Sequence, residues 1–286
     1  MFSAPVVVSI RRYPVKSCRG QSLPQAHVER CGLRGDRRWA VINADGAALT
    51  ARTHPRLVLV RPEVTDDGLR LEAPGTRPIA VPAPRDGADR PIWVHAARVH
   101  AVPADEAASS WFSGFLGEPV RLVHLADPTL RRPDERYSAP ADRVSLADGF
   151  PLLLATEESL AALNDLLVAD HAGSREPPPP LPMTRFRPNV VVAGTPAWEE
   201  DGWRRLRIGP ATFRMVKSCA RCMLTTIDPD TAVKGREPLR TLARHRSWGG
   251  AIWFGVNLIP DEPNHTIRVG DPVRVLDRVD SIEPLR

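Results

Sequence analysis

Lys217-Ser-Cys-Ala-Arg-Cys-Met-Leu-Thr-Thr-Ile-Asp-Pro-Asp230 is the stretch on which the reading of this chain turns. A thiol, Cys222, follows an arginine and leads into a β-like run, 223–227, closed by an Asp-Pro turn. A thioredoxin-type redox pair normally opens a helix, and this run is strand-like instead. The arrangement offers a soft thiolate to a metal, while Arg221 beside it receives an anion. Taken alone, Cys219-x-x-Cys222 admits inert buried thiols, one thiol as a single metal or redox ligand, or a redox disulfide. A structural zinc site needs four ligands, and the other cysteines, Cys18 and Cys31, come with no His pair at finger spacing.

Strand patterns continue outward from this stretch. On its own side of the chain they fall at 190–193, 204–208, 212–216 and 267–276. In the first half they fall at 6–10, 38–43, 57–60, 69–71, 92–95 and 120–124, with Asp66-Asp67-Gly68 as a hairpin signal between the runs 57–60 and 69–71. One helix is expected over 105–116, where Trp111, Phe112, Phe115 and Leu116 form a core face before Gly117. A second starts at the cap Thr156, carries Leu160, Leu163 and Leu167 inward, and ends at Gly173. Residues 126–142 read as an exposed connection, and Glu176-Pro-Pro-Pro-Pro180 as a stiff loop. The fold class is therefore mainly β with a few helices (α+β), arranged as two linked β-rich units that suggest barrels. The division falls at 1–125 and 126–286.

Composition excludes several classes. The 42% hydrophobic content and 26% charge describe a globular chain with ample core in 286 residues. Thirty prolines and seven tryptophans favour short strands and turns over long helices. No run approaches the roughly 20 apolar residues of a membrane span, and the start lacks a charged segment followed by an apolar core. The expected location is cytoplasmic, with thiols reduced. The net charge of +5 comes with no basic run interleaved with aromatics, so no nucleic-acid partner is expected. Arginines beside Cys222, in Phe186-Arg-Pro-Asn189 and in Gly-Asp-Arg37 suit bidentate grip of a phosphate or another anion. Lys16 and Ser17, in Tyr13-Pro-Val-Lys-Ser-Cys-Arg-Gly20, offer an ammonium and a hydroxyl at a strand end. Pro188 biases Arg187 to extended geometry, and Asn189 supplies both donor and acceptor.

These motifs, in order, resemble the MOSC family, named for the molybdenum cofactor sulfurase C-terminal domain. They include Gly-Leu-Arg-Gly-Asp-Arg-Arg-Trp39, Thr-Ala-Arg52 with Pro55, Asp-Gly-Phe-Pro151, Thr-Ile-Asp-Pro-Asp230, Phe-Gly-Val-Asn257 and Val-Gly-Asp-Pro272. The resemblance is to the two-domain branch that begins with a MOSC β-barrel and includes the amidoxime-reducing component and its bacterial relatives. It implies an N-terminal β-barrel module followed by a MOSC β-barrel domain that binds the molybdenum cofactor, a molybdopterin. By that resemblance Cys222 is the metal ligand and catalytic thiolate. Lys16, Ser17, Arg37, Arg187, Asn189 and Arg221 hold the pterin and its phosphate, and Gly149 and Phe150 pass close to it. Ala220 stands where some relatives have Ser, and Cys219 is a supporting thiol.

The implied activity is an oxidoreductase that reduces N-hydroxylated compounds, amidoximes or hydroxylamines, releasing the oxygen as water with two electrons and two protons. A sulfur-carrier or cofactor-handling role through Cys222 is the alternative. No pyridoxal phosphate or iron–sulfur cluster is expected, since nothing resembles a desulfurase domain and no cysteine follows Cys222. The electron donor is then a separate reductase or ferredoxin-like protein. His54, beside Thr-Ala-Arg52, is a candidate general acid because imidazole titrates near neutrality.

Overall fold

Apolar runs buried on both faces set the frame. Leu152–Thr156 is buried at all five positions and pairs in parallel with Val190–Ala193. Parallel neighbours need a crossover, and the helix Glu157–Asp170 lies in it. The computed structural model describes residues 4–84, 87–175 and 178–279, so Glu176 and Pro177, where the polyproline loop begins, lie outside the described residues. Among these, three α-helices occur: α1 (Glu106–Leu116), α2 (Glu157–Asp170) and α3 (Leu239–His245). None of the described helices is long and apolar enough to cross a membrane. The chain is mainly β with a few helices, as its patterns indicated.

The largest sheet has the order Val273–Arg278, Trp203–Ile208, Ala211–Ala220, Ala251–Pro260, Leu152–Thr156, Val190–Ala193, Val6–Arg12 and Gln21–Leu23, with Ser247–Trp248 paired to Ala251–Pro260. Its core includes Trp203, Phe213 and Leu258. The first strand, Val6–Arg12, is antiparallel to Val190–Ala193, and Gln25–Glu29 is antiparallel to His265–Arg268. The start of the chain is thus stitched into its far end. Two further sheets lie between: Trp39–Ile42, Arg121–His124, Ala97–Pro103, Arg90–Val94, and Arg61–Val64, Gly68–Glu72, Ile79–Pro82.

Local chemistry explains the ends of the helices. Asp105 caps α1 by accepting from Ala108 N at 2.8 Å, and Gly117, at φ 81°, closes it. Phe112 and Phe115 face the core. Thr156 caps α2 through Ser159 N, and the helix stops at Asp170, three residues before Gly173.

Four expectations about elements and exposure need correction. Residues 55–59 form a 3-10 turn, Pro55–Leu59, because proline presets its first dihedral; the hairpin strand is Arg61–Val64. Met223–Thr226 is a 3-10 turn as well. There the Thr225 hydroxyl donates back to Cys222 O and the Thr226 hydroxyl to Met223 O, a local bonding that competes with strand pairing. The run 267–276 is two strands, His265–Arg268 and Val273–Arg278, split by Gly270 at φ 92° and by Asp271, which accepts from Arg268 N. The stretch 126–142 is not merely exposed, since Arg131 and Asp142 are buried.

One buried acid couples this fold to pH. Glu200 accepts from Ser159 Oγ at 2.8 Å and Thr156 Oγ1 at 3.2 Å, and its Oε1 is buried with no partner among the described residues. Burial, then Asp201, pushes its carboxyl up to about 7. A raised acid stabilises while protonated, so its contribution is complete below its ordinary value near 4.5 and is lost as pH rises to about 7. Glu200→Gln should flatten this decline, whose size is at most about 3 kcal/mol. Urea unfolding midpoints of both proteins at acid and neutral pH would show it.

Candidate functional site

The strand Ala211–Ala220 builds the first wall. Its pairing with Ala251–Pro260 shifts register between Met215 and Lys217 and again between Ser218 and Ala220. Such irregularities re-aim side chains beside functional sites. Asn257 steadies the shifted stretch by donating to Lys217 O and Ser218 O at 3.2 and 3.4 Å. Gly255 is at φ 71°, and a Cβ there would lie 2.7 Å from Leu154 O; glycine is required on both counts. Past the strand, Arg221 N donates to Ile252 O at 2.7 Å. Cys222 follows, exposed, at the head of the 3-10 turn.

The second wall is the loop after Val6–Arg12. Lys16 N donates to Trp39 O at 2.8 Å, and the Lys16 and Ser17 side chains are nearly buried. Ser17, Arg37 and Arg187 all have positive φ (67°, 47° and 58°), so Arg187 is left-handed and not extended as the following Pro188 had suggested. Non-glycine residues in that region are uncommon and concentrate where function holds them. The Arg37 and Arg187 guanidinium carbons lie 4.5 and 4.3 Å from the centroid of the Tyr13 ring, a distance at which the ring attracts both cations.

Asn189 ties the walls together. Its backbone N donates to Leu153 O and its carbonyl accepts from Arg11 N, both at 2.8 Å. Its Nδ2 donates to Arg11 O and Asp36 Oδ1, at 3.1 and 3.0 Å. Its Oδ1 accepts from Arg37 Nη1 at 2.9 Å and Leu153 N at 3.2 Å. Arg37 Nη1 also donates to Asp36 Oδ2 at 2.6 Å. Burial works against the Arg37 charge, but Asp36 outweighs it and holds the pKa above its ordinary value.

A third segment, 145–150, closes the cleft. Arg131 holds it by donating to Ser145 O, Ala147 O and Asp148 O. Asp148 meets Lys16, Arg52 and His95. Burial pushes the Lys16 ammonium down despite Asp148. For Asp148, the neighbouring Lys16 and His95 overcome the opposing effect of burial and hold the carboxyl far below the usual range. Tyr137 packs edge-on to Phe150, with Lys217 Nζ 4.6 Å from its ring centroid.

The resulting cleft has a volume of about 290 Å³. All nine residues singled out in the sequence line it: Lys16, Ser17 and Arg37, then Gly149 and Phe150, then Arg187 and Asn189, and finally Arg221 and Cys222. Cys219 lines it too and accepts from Arg221 Nη1 at 2.9 Å. Six cationic side chains face one carboxylate there, so an anion is the natural occupant. Burial brings the half-buried Arg187 down to about 10, which leaves it charged at neutral pH. Its guanidinium has no hydrogen-bond acceptor among the described residues. Cys18 and Cys31 are buried, their thiols pushed up by burial to about 12 and 11.

His54 lies outside the cleft lining, with Nε2 2.6 Å from Glu118 Oε1. Asp148, Arg52 and Lys217 line the cleft without having been singled out. Each belongs to a motif already quoted, and its charge was the available signal. Arg131 gave none.

The Asp36–Arg37–Asn189 cluster should behave as one unit. Asp36→Asn is expected to destabilise by about 3 kcal/mol and Asn189→Ala by about 2 kcal/mol, because each leaves buried polar groups unpaired. The double variant should lose clearly less than the sum. Urea denaturation of the four proteins measures the coupling.

Residues 4–119 match the MOSC N-terminal beta barrel domain and residues 141–274 match the MOSC domain. The chain is 37% identical to mitochondrial amidoxime-reducing component 1 of Homo sapiens, over 92% of this chain and 81% of that protein. It is 36% identical to mitochondrial amidoxime reducing component 2 of Rattus norvegicus, over 93% and 82%. With both barrel domains matched and likeness running over nine-tenths of its length, this chain belongs to the MOSC family, in the branch that carries the N-terminal MOSC β-barrel.

Proposed function

We propose that the protein is a molybdenum cofactor-dependent oxidoreductase that reduces N-hydroxylated compounds, such as amidoximes and hydroxylamines, with electrons from a separate redox protein. One observation carries the reading: an exposed thiol stands in a cleft where six cationic side chains face a single carboxylate. The names of the relatives, amidoxime-reducing components, support the substrate class.

The donor set fits the cofactor. Cys222 supplies a soft thiolate ligand. Arg187 and Ser17 have no side-chain hydrogen-bond partner among the described residues, so both are available to a phosphate or pterin edge. Arg221 keeps one nitrogen on Phe186 O and one on Cys219 Sγ, which fixes it beside the thiolate. Asn189 has its amide fully engaged, and its role is to position Arg37. In this scheme residues 1–125 bring Lys16, Ser17 and Arg37 to the cleft, and residues 126–286, the cofactor-binding unit, bring the rest.

When bound, the cofactor supplies the two-electron redox chemistry. The chain's own residues hold the anion, orient it and surround the thiolate with positive charge. Asp148 is ionised at neutral pH and serves as counter-charge to Lys16 rather than as a proton donor. The basic surface steers an acidic electron donor. The four free thiols are consistent with a reducing compartment such as the cytoplasm, while the relatives carry mitochondrial names.

Cys222→Ser should abolish amidoxime reduction with the fold intact, because a hydroxyl is a harder and less acidic ligand, whereas Cys219→Ser should be far milder. Metal and pterin analysis beside the activity assay tests this. About one molybdenum and one pterin per chain in the wild type favours the reductase; sulfur transfer without retained molybdenum favours the carrier role. A second outcome concerns electrons. With an artificial low-potential donor the loaded chain should reduce a model amidoxime, and NADPH alone should not sustain turnover. Robust NADPH-driven reduction by the isolated chain would refute the separate-donor scheme.

A further inference from the structure

A second chamber, of about 250 Å³, adjoins the cleft and shares Arg187 and Leu224 with it. Four arginines line it, Arg11, Arg19, Arg185 and Arg187, together with one acidic residue, Asp230. Arg19 is taken, since it pairs with Asp230 and donates to Pro229 O. Arg185 donates to Asp228 Oδ2 at 2.9 Å. The other oxygen of Asp228 is consumed by Asp230 N, Thr231 N and Thr231 Oγ1. Arg11 and Arg187 have no acceptor on their guanidinium groups among the described residues.

One wall is the Tyr13 ring. Gly20 makes room for it, because a Cβ at that position would lie 2.5 Å from Tyr13 Cε1. Val58 and Ile227 give the chamber an apolar side. Two cations without hydrogen-bond acceptors at one small cavity repel each other, and an occupant of opposite charge relieves that repulsion. The guanidinium fork matches the oxygens of a phosphate. At roughly 30 Å³ per liquid water, the space holds about eight waters, enough for a phosphate with a short substituent.

We infer that this second chamber is an anion site for a phosphate or phosphomonoester group, gripped by Arg11 and Arg187 with Arg185 beside them. Arg187, as the common wall, couples the chamber to the cleft. The inference shares Arg187 with the proposed cofactor reading, whereas Arg11 and Arg185 belong to the second chamber and not to the cleft. Its source is either the phosphate of a molecule seated in the cleft or a separate phosphate-bearing metabolite.

The test uses the full chain made in a host unable to synthesise pterin cofactors, titrated with inorganic phosphate by calorimetry at low ionic strength. Wild type should bind. Arg11→Gln and Arg185→Gln should each weaken binding by about tenfold, and Arg11→Lys should fall between. Arg207→Gln, which removes an exposed charge elsewhere, should bind as wild type. The two decisive variants lie on separate segments, so misfolding of one leaves the other to decide. Repeating the titration on cofactor-loaded chain separates the sources. Lost phosphate binding, with less pterin retained by Arg11→Gln, marks the chamber as the seat of the cofactor's own phosphate; retained binding marks a separate ligand. Absence of binding at millimolar phosphate, or wild-type binding by both glutamine variants, overturns the inference.

Discussion

The hydrogen bonds of Asn189 are the constraint on which the site depends. Four backbone groups, on Arg11 and Leu153, and two side chains, on Asp36 and Arg37, converge on this one residue. It holds the N-terminal strand against Leu152–Thr156 and in the same act orients the partly buried Arg37 toward the cleft. No apolar residue of similar size replaces it, because each partner would be left buried and unpaired. The positions of Lys16, Ser17 and Arg37 relative to Cys222 all descend from this clasp.

The cleft's charge has the opposite character. The clasp is fully paired, whereas Arg187 and Lys217 line the cavity with no carboxylate partner among the described residues. Charge left unpaired near the interior costs stability, and proteins keep it where a ligand offsets the cost. Anything anionic that binds only the folded chain then stabilises it by mass action. The surroundings of the four cysteines follow the same division. Cys18 and Cys31 are packed away where ionisation is disfavoured, and Cys222 is presented to solvent beside a cation.

The nine candidate positions came from a resemblance carried by the order of motifs, and the fold brings all nine to one cleft. Val190–Ala193 was legible as a short β-branched run, and the cap at Thr156 because capping acts within a few residues. What escaped was decided at longer range or by competing local bonds. Met223–Thr226 has strand-like composition, yet its hydroxyls bond back to the preceding carbonyls. Arg131 sits in a polar, proline-bearing stretch and is buried only because three carbonyls of a distant loop accept from it. Candidate His54 met Glu118 instead of the cleft, a pairing that no local pattern encodes.

The stitching of Val6–Arg12 to Val190–Ala193 also bears on how the molecule is made. A ribosome adds roughly 5–20 residues per second, so the first strand emerges about ten to forty seconds before its sheet partner exists. Throughout that interval the edge of this apolar segment that Val190–Ala193 will cover stays open on the nascent chain. Closure then joins residues far apart in sequence, a kind of contact that folds slowly. Production of this protein is therefore sensitive to chaperone supply and to translation speed in a way that its finished stability does not reveal.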